Sequence, residues 1–69
     1  MLIKNSDDIG ELVRKARQAG KLSGPALGDK AGTGQAMVSR IEHGRANVTI
    51  STLIRIARAL GKKLYISIK

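Results

Sequence analysis

The side chains of this 69-residue chain that could do chemistry are mostly cationic. The sequence has 13 Lys and Arg against 5 Asp and Glu, a formal net charge of +8, one histidine (His43) and no cysteine. Such a basic chain attracts polyanions, which makes nucleic acid the first partner to consider. One imidazole and scattered carboxylates lack the spacing of metal ligands, so we predict no metal site and no cofactor. No nucleophile lies beside a suitable base, and we therefore predict no catalytic residue and no enzyme activity.

Charge distribution and aromatic content narrow the class of partner. All five acidic residues lie at or before Glu42, so the C-terminal third is basic and should face an acidic surface. Tyr65 is the only aromatic residue, whereas sites for RNA and single-stranded DNA usually stack bases on aromatic rings. Duplex DNA is therefore the better candidate. No apolar stretch has the length of a membrane span, so we expect a cytoplasmic protein with no membrane partner.

The hydrophobic pattern predicts four helices. Cap residues precede the first, second and fourth segments, the third covers residues 35–43, and a glycine follows each segment. The caps are Ser6, Ser23 and Thr49, and the terminal glycines are Gly20, Gly32, Gly44 and Gly61. The residues predicted to face the core are Ile9, Leu12, Val13, Ala16, Ala26, Leu27, Ala31, Val38, Ile41, Ile50, Leu53, Ile54, Ala57 and Leu60.

Residues 63–69 alternate apolar and polar side chains, which predicts a half-buried strand. No partner strand follows it, so it must pair with a second chain, pair with residues 1–4, or fray. We favour a homodimer, because one domain spanning residues 1–69 has only a marginal core of its own. The predicted dimerisation residues are Leu64, Tyr65, Ile66, Ser67 and Ile68.

Residues 24–43 have the layout of a helix-turn-helix. Gly28 and Gly32 are small where two helices must approach closely, and Leu27, Val38 and Ile41 occupy core positions. The second helix of such a motif can enter a major groove only if the first packs tightly beneath it. A large side chain at position 28 would prevent that packing.

Several motifs resemble the phage-repressor-like Xre family over residues 9–61. They are residues 22–23 with Leu27 and Gly32, the segment VSRIEHG at 38–44 and the segment LIRIARALG at 53–61. Residues 6–10, the short length and the terminal strand are similar to the HipB-type antitoxins within that family. The resemblance implies an all-α, four-helix lambda-repressor-like fold with a short C-terminal strand that pairs across a homodimer. It also implies a DNA-binding protein associated with the bacterial nucleoid.

The resemblance implies that the third helix enters the major groove. Gln35, Ala36 and Arg40 would then face the bases, with Met37 and Ser39 beside them. Their chemistry agrees, since Gln can bond to adenine, Arg to guanine, and Ala or Met can contact the thymine methyl group. The alternative is an ordinary solvated helix face. The predicted phosphate contacts are Ser23, Thr33, His43 and Arg45, for which helix capping or plain surface charge is the alternative.

Four other positions are informative in light of the same resemblance. Arg17 and Glu42 match a salt bridge that, in related repressors, joins the first helix to the end of the third. Gly24 stands where the family usually has a phosphate-binding Gln, so this chain lacks the phosphate contact that the family makes at this position. Gly34 stands where Ser or Thr commonly caps the recognition helix, which predicts a less well fixed helix start.

The function implied is that of a transcriptional repressor that binds double-stranded DNA at an inverted-repeat operator. A HipB-like protein would also bind a HipA-type kinase toxin and repress its own operon. A stand-alone Xre-family regulator of a phage, a restriction system or metabolism would have much the same residues. The toxin partner therefore rests on resemblance alone.

Overall fold

Four helices make up the regular structure of residues 6–65, the part of the chain that the structure, a computed structural model, describes. They are α1 (Ser6–Ala19), α2 (Gly24–Ala31), α3 (Gln35–Glu42) and α4 (Ile50–Ala59). Helix α3 packs against both α1 and α2, while α4 packs against α2. The four predicted helices are confirmed, and α3 is therefore held by two neighbours while its remaining side is free.

Two of the predicted cap residues begin helices in the structure. The Ser23 hydroxyl accepts a hydrogen bond from the Ala26 N–H at 3.1 Å, and the Thr49 hydroxyl accepts one from the Thr52 N–H at 3.1 Å. Each bond satisfies an N–H group that the first turn of a helix leaves without a partner. Gly32 ends α2 with φ at 71°, in the left-handed region that glycine adopts at little cost.

The core between the helices is apolar. Its buried residues are Val13, Leu27, Ala31, Val38, Ile41 and Ile56. Leu27 is completely buried and lies on α2, which packs against both α3 and α4. Within residues 7–65 no buried side chain is polar or charged. Burial of apolar surface therefore helps to hold α3 on its support.

The core-facing side of α4 differs from the predicted one at three positions. Ile50 and Ile54 are 52% and 38% exposed, whereas Ile56 is only 2% exposed. The inward stripe is Leu53, Ile56, Ala57 and Leu60, at the i, i+3, i+4, i+7 spacing of one helix face. The prediction that Ile50 and Ile54 face the core was wrong, because α4 is apolar around much of its circumference and its pattern fits two overlapping stripes.

The prediction that Leu12 of α1 faces the core was also wrong, since this side chain is 42% exposed.

Two glycines allow α3 to approach its neighbours closely. A Cβ atom on Gly28 would collide with the Gly34 carbonyl carbon and lie 2.6 Å from the Gln35 nitrogen. The predicted need for a small residue at position 28 is confirmed. A Cβ atom on Gly10 would likewise collide with the Ile41 carbonyl oxygen, a contact between α1 and α3 that the sequence pattern did not predict.

The predicted dimerisation strand lies at the C-terminal end of the chain, and residues 1–4 are its alternative partner. Residues 62–65 have no regular secondary structure, and residues 66–69 lie outside the described part of the chain, as do residues 1–4. Tyr65 is 84% exposed. Strand pairing across a homodimer stays a prediction. No helix within residues 6–65 is long and apolar enough to cross a membrane.

Candidate nucleic-acid interface

One face of α3 is exposed. Gln35, Ala36, Ser39 and Arg40, four of the five predicted base contacts, are exposed to solvent. The fifth, Met37, is half-buried and packs against the core. Helix α3 therefore presents an amide, a hydroxyl and a guanidinium on its free side, where each can meet a ligand edge.

A groove of about 210 Å³ lies between α3 and the start of α2. It is lined by Arg17, Gly24, Pro25, Gln35, Val38, Ser39, Glu42 and His43. Gln35, Ser39 and His43 share one side of α3, because each follows the previous one by four residues. The structure thus brings two predicted base contacts and one predicted phosphate contact into one groove, whereas Ala36 and Arg40 lie outside its lining.

An ion pair joins α1 to the end of α3. Nε of Arg17 donates to Oε2 of Glu42 at 2.7 Å, and Nη2 donates to Oε1 at 2.9 Å. Nη1 donates to the Leu22 carbonyl oxygen at 3.0 Å, just before α2 begins. The hydrogen bond with Glu42 raises the pKa of Arg17 above its ordinary value, so the guanidinium stays charged. The structure brings the predicted pair together, and Arg17 connects α1, the approach to α2, and α3.

The predicted phosphate contacts surround α3 and the start of α2. Ser23 is exposed and caps α2, and the Thr33 hydroxyl donates to the Gly34 carbonyl oxygen at 3.3 Å. Arg45 follows α3 and is exposed. Within the described part of the chain, the side chains of Arg40 and Arg45 make no hydrogen bond or ion pair. These two cations are therefore available to an anionic ligand.

His43 is the C-cap residue of α3, one position beyond the helix rather than inside it as predicted. Its Nδ1 lies 2.7 Å from the Ser39 carbonyl oxygen. A carbonyl oxygen only accepts hydrogen bonds, so Nδ1 carries a proton in this contact. Nε2 is the nitrogen left for a second partner, and the contact fixes the ring on the groove side of α3.

The start of α3 departs from ordinary capping. Gly34 occupies the N-cap position with φ at 82° and ψ at 158°, and no side chain caps the helix there. This backbone conformation is restricted almost entirely to glycine. The absence of Ser or Thr at position 34 therefore follows from the shape of the turn.

Arg55 lies beside the site, although the sequence pattern does not predict it there. Its Nη2 donates to the Gly32 carbonyl oxygen at 3.0 Å, linking α4 to the end of α2. A bond between a side chain and a carbonyl 23 positions away leaves no periodic signal in a sequence. Hydrophobic spacing could not have revealed it.

Comparison with known families decides which kind of fold this is. The sequence profile of the helix-turn-helix family (HTH_3) matches residues 13–66. The chain belongs to this family. The predicted Xre-like resemblance and the all-α, lambda-repressor-like fold class are confirmed, and the fold is that of DNA-binding transcriptional regulators. A comparison with curated proteins gave no match.

Solved structures of the same fold include regulators of different kinds. The restriction-modification controller protein C.AhdI from Aeromonas hydrophila is 28% identical with a TM-score of 0.82, covering 84% of this chain and 88% of the other. An HTH_3 family transcriptional regulator from Vibrio cholerae is 31% identical with a TM-score of 0.81, covering 84% of this chain and 33% of the other. HipB in a HipA–HipB–O2–O3 complex is 22% identical with a TM-score of 0.80, covering 97% and 94%, a likeness of fold.

Proposed function

We propose that this protein is a sequence-specific transcriptional repressor that reads double-stranded DNA through the exposed face of α3. The observation that carries the proposal is the placement of Gln35, Ser39 and Arg40 on the free side of a helix held from behind by an apolar core. Gln and Arg are the side chains that discriminate adenine and guanine in the major groove. Ala36 and Met37 supply apolar contact for a thymine methyl group.

Phosphate contacts position this helix on the duplex. Ser23 caps the start of α2, Arg45 follows α3, and the Arg45 guanidinium has no hydrogen-bond or ion-pair partner within the described residues. Thr33 and His43 lie at the two ends of α3. Contacts to the DNA backbone fix the register and orientation of the protein but carry no sequence information, so the exposed face of α3 must provide the specificity.

The repressor acts as a homodimer on an inverted repeat. Ile50 and Ile54 leave an apolar strip of α4 exposed, and the alternating pattern of residues 63–69 predicts a strand for pairing with a second chain. Two recognition helices related by a two-fold axis meet successive turns of one DNA face when they lie about 34–36 Å apart, or a multiple of that distance. The bound dimer would cover its own promoter and block transcription.

Two biological settings fit this activity. The motifs that resemble HipB-type antitoxins support an antitoxin that also binds a HipA-type kinase toxin. The likeness to the restriction-modification controller, over 88% of that protein, supports the alternative of a stand-alone regulator without a toxin. We place the antitoxin first, since residues 6–10 resemble the start of HipB-type antitoxins.

Fluorescence anisotropy tests the proposed function. The probes are a duplex from the DNA upstream of the protein's own gene and a scrambled duplex of equal length, at about 50 and 200 mM salt. Each titration is repeated with the product of the neighbouring gene. Selective binding supports the repressor, and tightening by that product supports the antitoxin. Equal binding to both duplexes that disappears with salt would contradict sequence-specific recognition.

The dimer has its own test. A chain truncated before Leu64 is compared with the full chain by sedimentation, beside an Ile54→Lys variant that keeps the strand. We expect both changes to shift the equilibrium towards monomer and to lower affinity for the upstream duplex. A truncated chain that sediments as a dimer would contradict strand pairing.

A further inference from the structure

The turn that sets the direction of α3 consists of Gly32, Thr33 and Gly34. The φ angles of its two glycines are 71° and 82°. Glycine enters this region without steric cost but also leaves it easily, because it has no Cβ to restrict the backbone. The intrinsic preferences of the turn therefore do not fix the angle between α2 and α3.

Most hydrogen bonds of this turn are local. The N–H groups of Thr33 and Gly34 both donate to the Gly28 carbonyl oxygen, at 3.0 and 3.1 Å. The Gly34 carbonyl accepts from the Val38 N–H at 3.4 Å, within the first turn of α3. Such bonds hold the turn to the ends of the helices it joins, but they do not tie it to the rest of the fold.

Arg55 supplies the hydrogen bond from elsewhere in the described fold. Its Nη2 donates to the Gly32 carbonyl oxygen at 3.0 Å, and a Cβ atom at position 32 would lie only 2.7 Å from that nitrogen. Glycine at 32 therefore gives both the turn and the space for the guanidinium. A cation is also favoured at the C-terminal end of a helix, where the carbonyl groups of α2 are exposed.

We propose that Arg55 is a positioning residue that fixes the turn between α2 and α3, and so sets the angle at which α3 meets the DNA. This proposal rests on the proposed function for its effect on DNA. Arg55 acts through the Gly32 carbonyl and contacts neither base nor phosphate. Because α4 packs against α2, it provides a fixed point from which the guanidinium restrains the turn.

The test compares Arg55→Ala with Arg58→Ala and Arg55→Lys. Arg58 is the matched control, since it is an exposed arginine on the same helix whose side chain makes no hydrogen bond or ion pair within the described part of the chain. Arg55→Lys keeps the charge and a donor of nearly the same reach. Circular dichroism confirms that each variant is folded. Amide hydrogen exchange at Thr33 and Gly34 is measured by NMR without DNA, and anisotropy follows with the upstream and scrambled duplexes.

We expect exchange at Thr33 and Gly34 to become roughly tenfold faster in Arg55→Ala, as loss of one hydrogen bond from a charged donor predicts. Arg58→Ala should leave exchange unchanged and Arg55→Lys should restore most of the protection. Preference for the upstream duplex should fall in Arg55→Ala while the slope of log affinity against log salt is unchanged.

Wild-type exchange rates in Arg55→Ala would overturn the proposal. So would a fall in the salt slope by about 0.9, which marks a lost phosphate contact. The exchange measurement uses no DNA. If the wild-type protein bound the two duplexes equally, the proposed function would be contradicted. The exchange rates at Thr33 and Gly34 would still show whether Arg55 restrains the turn.

Discussion

The guanidinium of Arg17 and the carboxylate of Glu42 face each other through two parallel hydrogen bonds of 2.7 and 2.9 Å. The two side chains are only 18% and 9% exposed. Glu42 is the last residue of α3, where the helix dipole disfavours a negative charge. Arg17 offsets that cost from α1, so the pair both stabilises the end of the recognition helix and holds it against its neighbour.

Removing one partner of this pair should destabilise the fold. Arg17→Met leaves the Glu42 carboxylate largely buried without its cation and leaves the Leu22 carbonyl without its donor. We expect a loss of about 2–4 kcal/mol, below the upper end for fully buried pairs because some water reaches the site. Urea unfolding followed by circular dichroism measures the free energy of unfolding.

Lys15→Met is the matched control for this prediction. Lys15 also lies on α1 and pairs with Glu11 at 3.0 Å, but the two side chains are 62% and 43% exposed. Such a surface pair contributes about 0.5 kcal/mol or less. Equal losses in the two variants would show that Arg17 and Glu42 form an ordinary surface contact.

Local chemistry explains which parts of the fold the sequence predicts. Ser23 and Thr49 cap helices because their hydroxyl groups reach N–H groups three residues on, a relationship visible in the sequence. The inward face of α4 is not visible in this way. Ile54 and Ile56 are chemically alike, and only packing against α2 decides that Ile56 is buried.

The sequence likewise predicts some features of the candidate site and not others. The exposed face of α3 follows from helix periodicity, because Gln35, Ser39 and Arg40 point away from the core positions. Gly34 indicates a missing cap when only the sequence is considered, whereas its φ of 82° shows that the turn requires glycine. The bond from Arg55 joins a side chain to a distant carbonyl, and nothing in the chemical character of either residue predicts such a contact.

Gly28→Ala should disrupt the support of α3. The added methyl group would meet the backbone of Gly34 and Gln35, which cannot move without displacing the recognition helix. We expect a loss of roughly 3 kcal/mol, the upper end for overpacking. Gly24→Ala is the control, because nothing lies within 4 Å of a Cβ there. It should leave stability unchanged or raise it by about 0.5 kcal/mol through helix propensity. Similar melting temperatures for the two variants would contradict the close approach at Gly28.

Arg40 and Arg45 should affect DNA binding in different ways. Arg40→Ala should cost roughly 1–3 kcal/mol on the upstream duplex and much less on the scrambled one, because a base contact is lost. Arg45→Ala should weaken both duplexes alike and lower the salt slope by about 0.9, because a phosphate contact is lost. Anisotropy at several salt concentrations measures both effects. If Arg40→Ala weakened every duplex equally, its role in specificity would be refuted.

Gly24→Gln should strengthen DNA binding. Position 24 is open space at the start of α2 and lines the groove beside α3, so a longer amide side chain fits there. By resemblance to the Xre family, a Gln at this position contacts phosphate. We expect affinity to rise about threefold to tenfold on both duplexes, since contacts to the DNA backbone carry no sequence information. Gly24→Ala controls for helix propensity, and equal affinities for the two variants would show that the amide makes no contact.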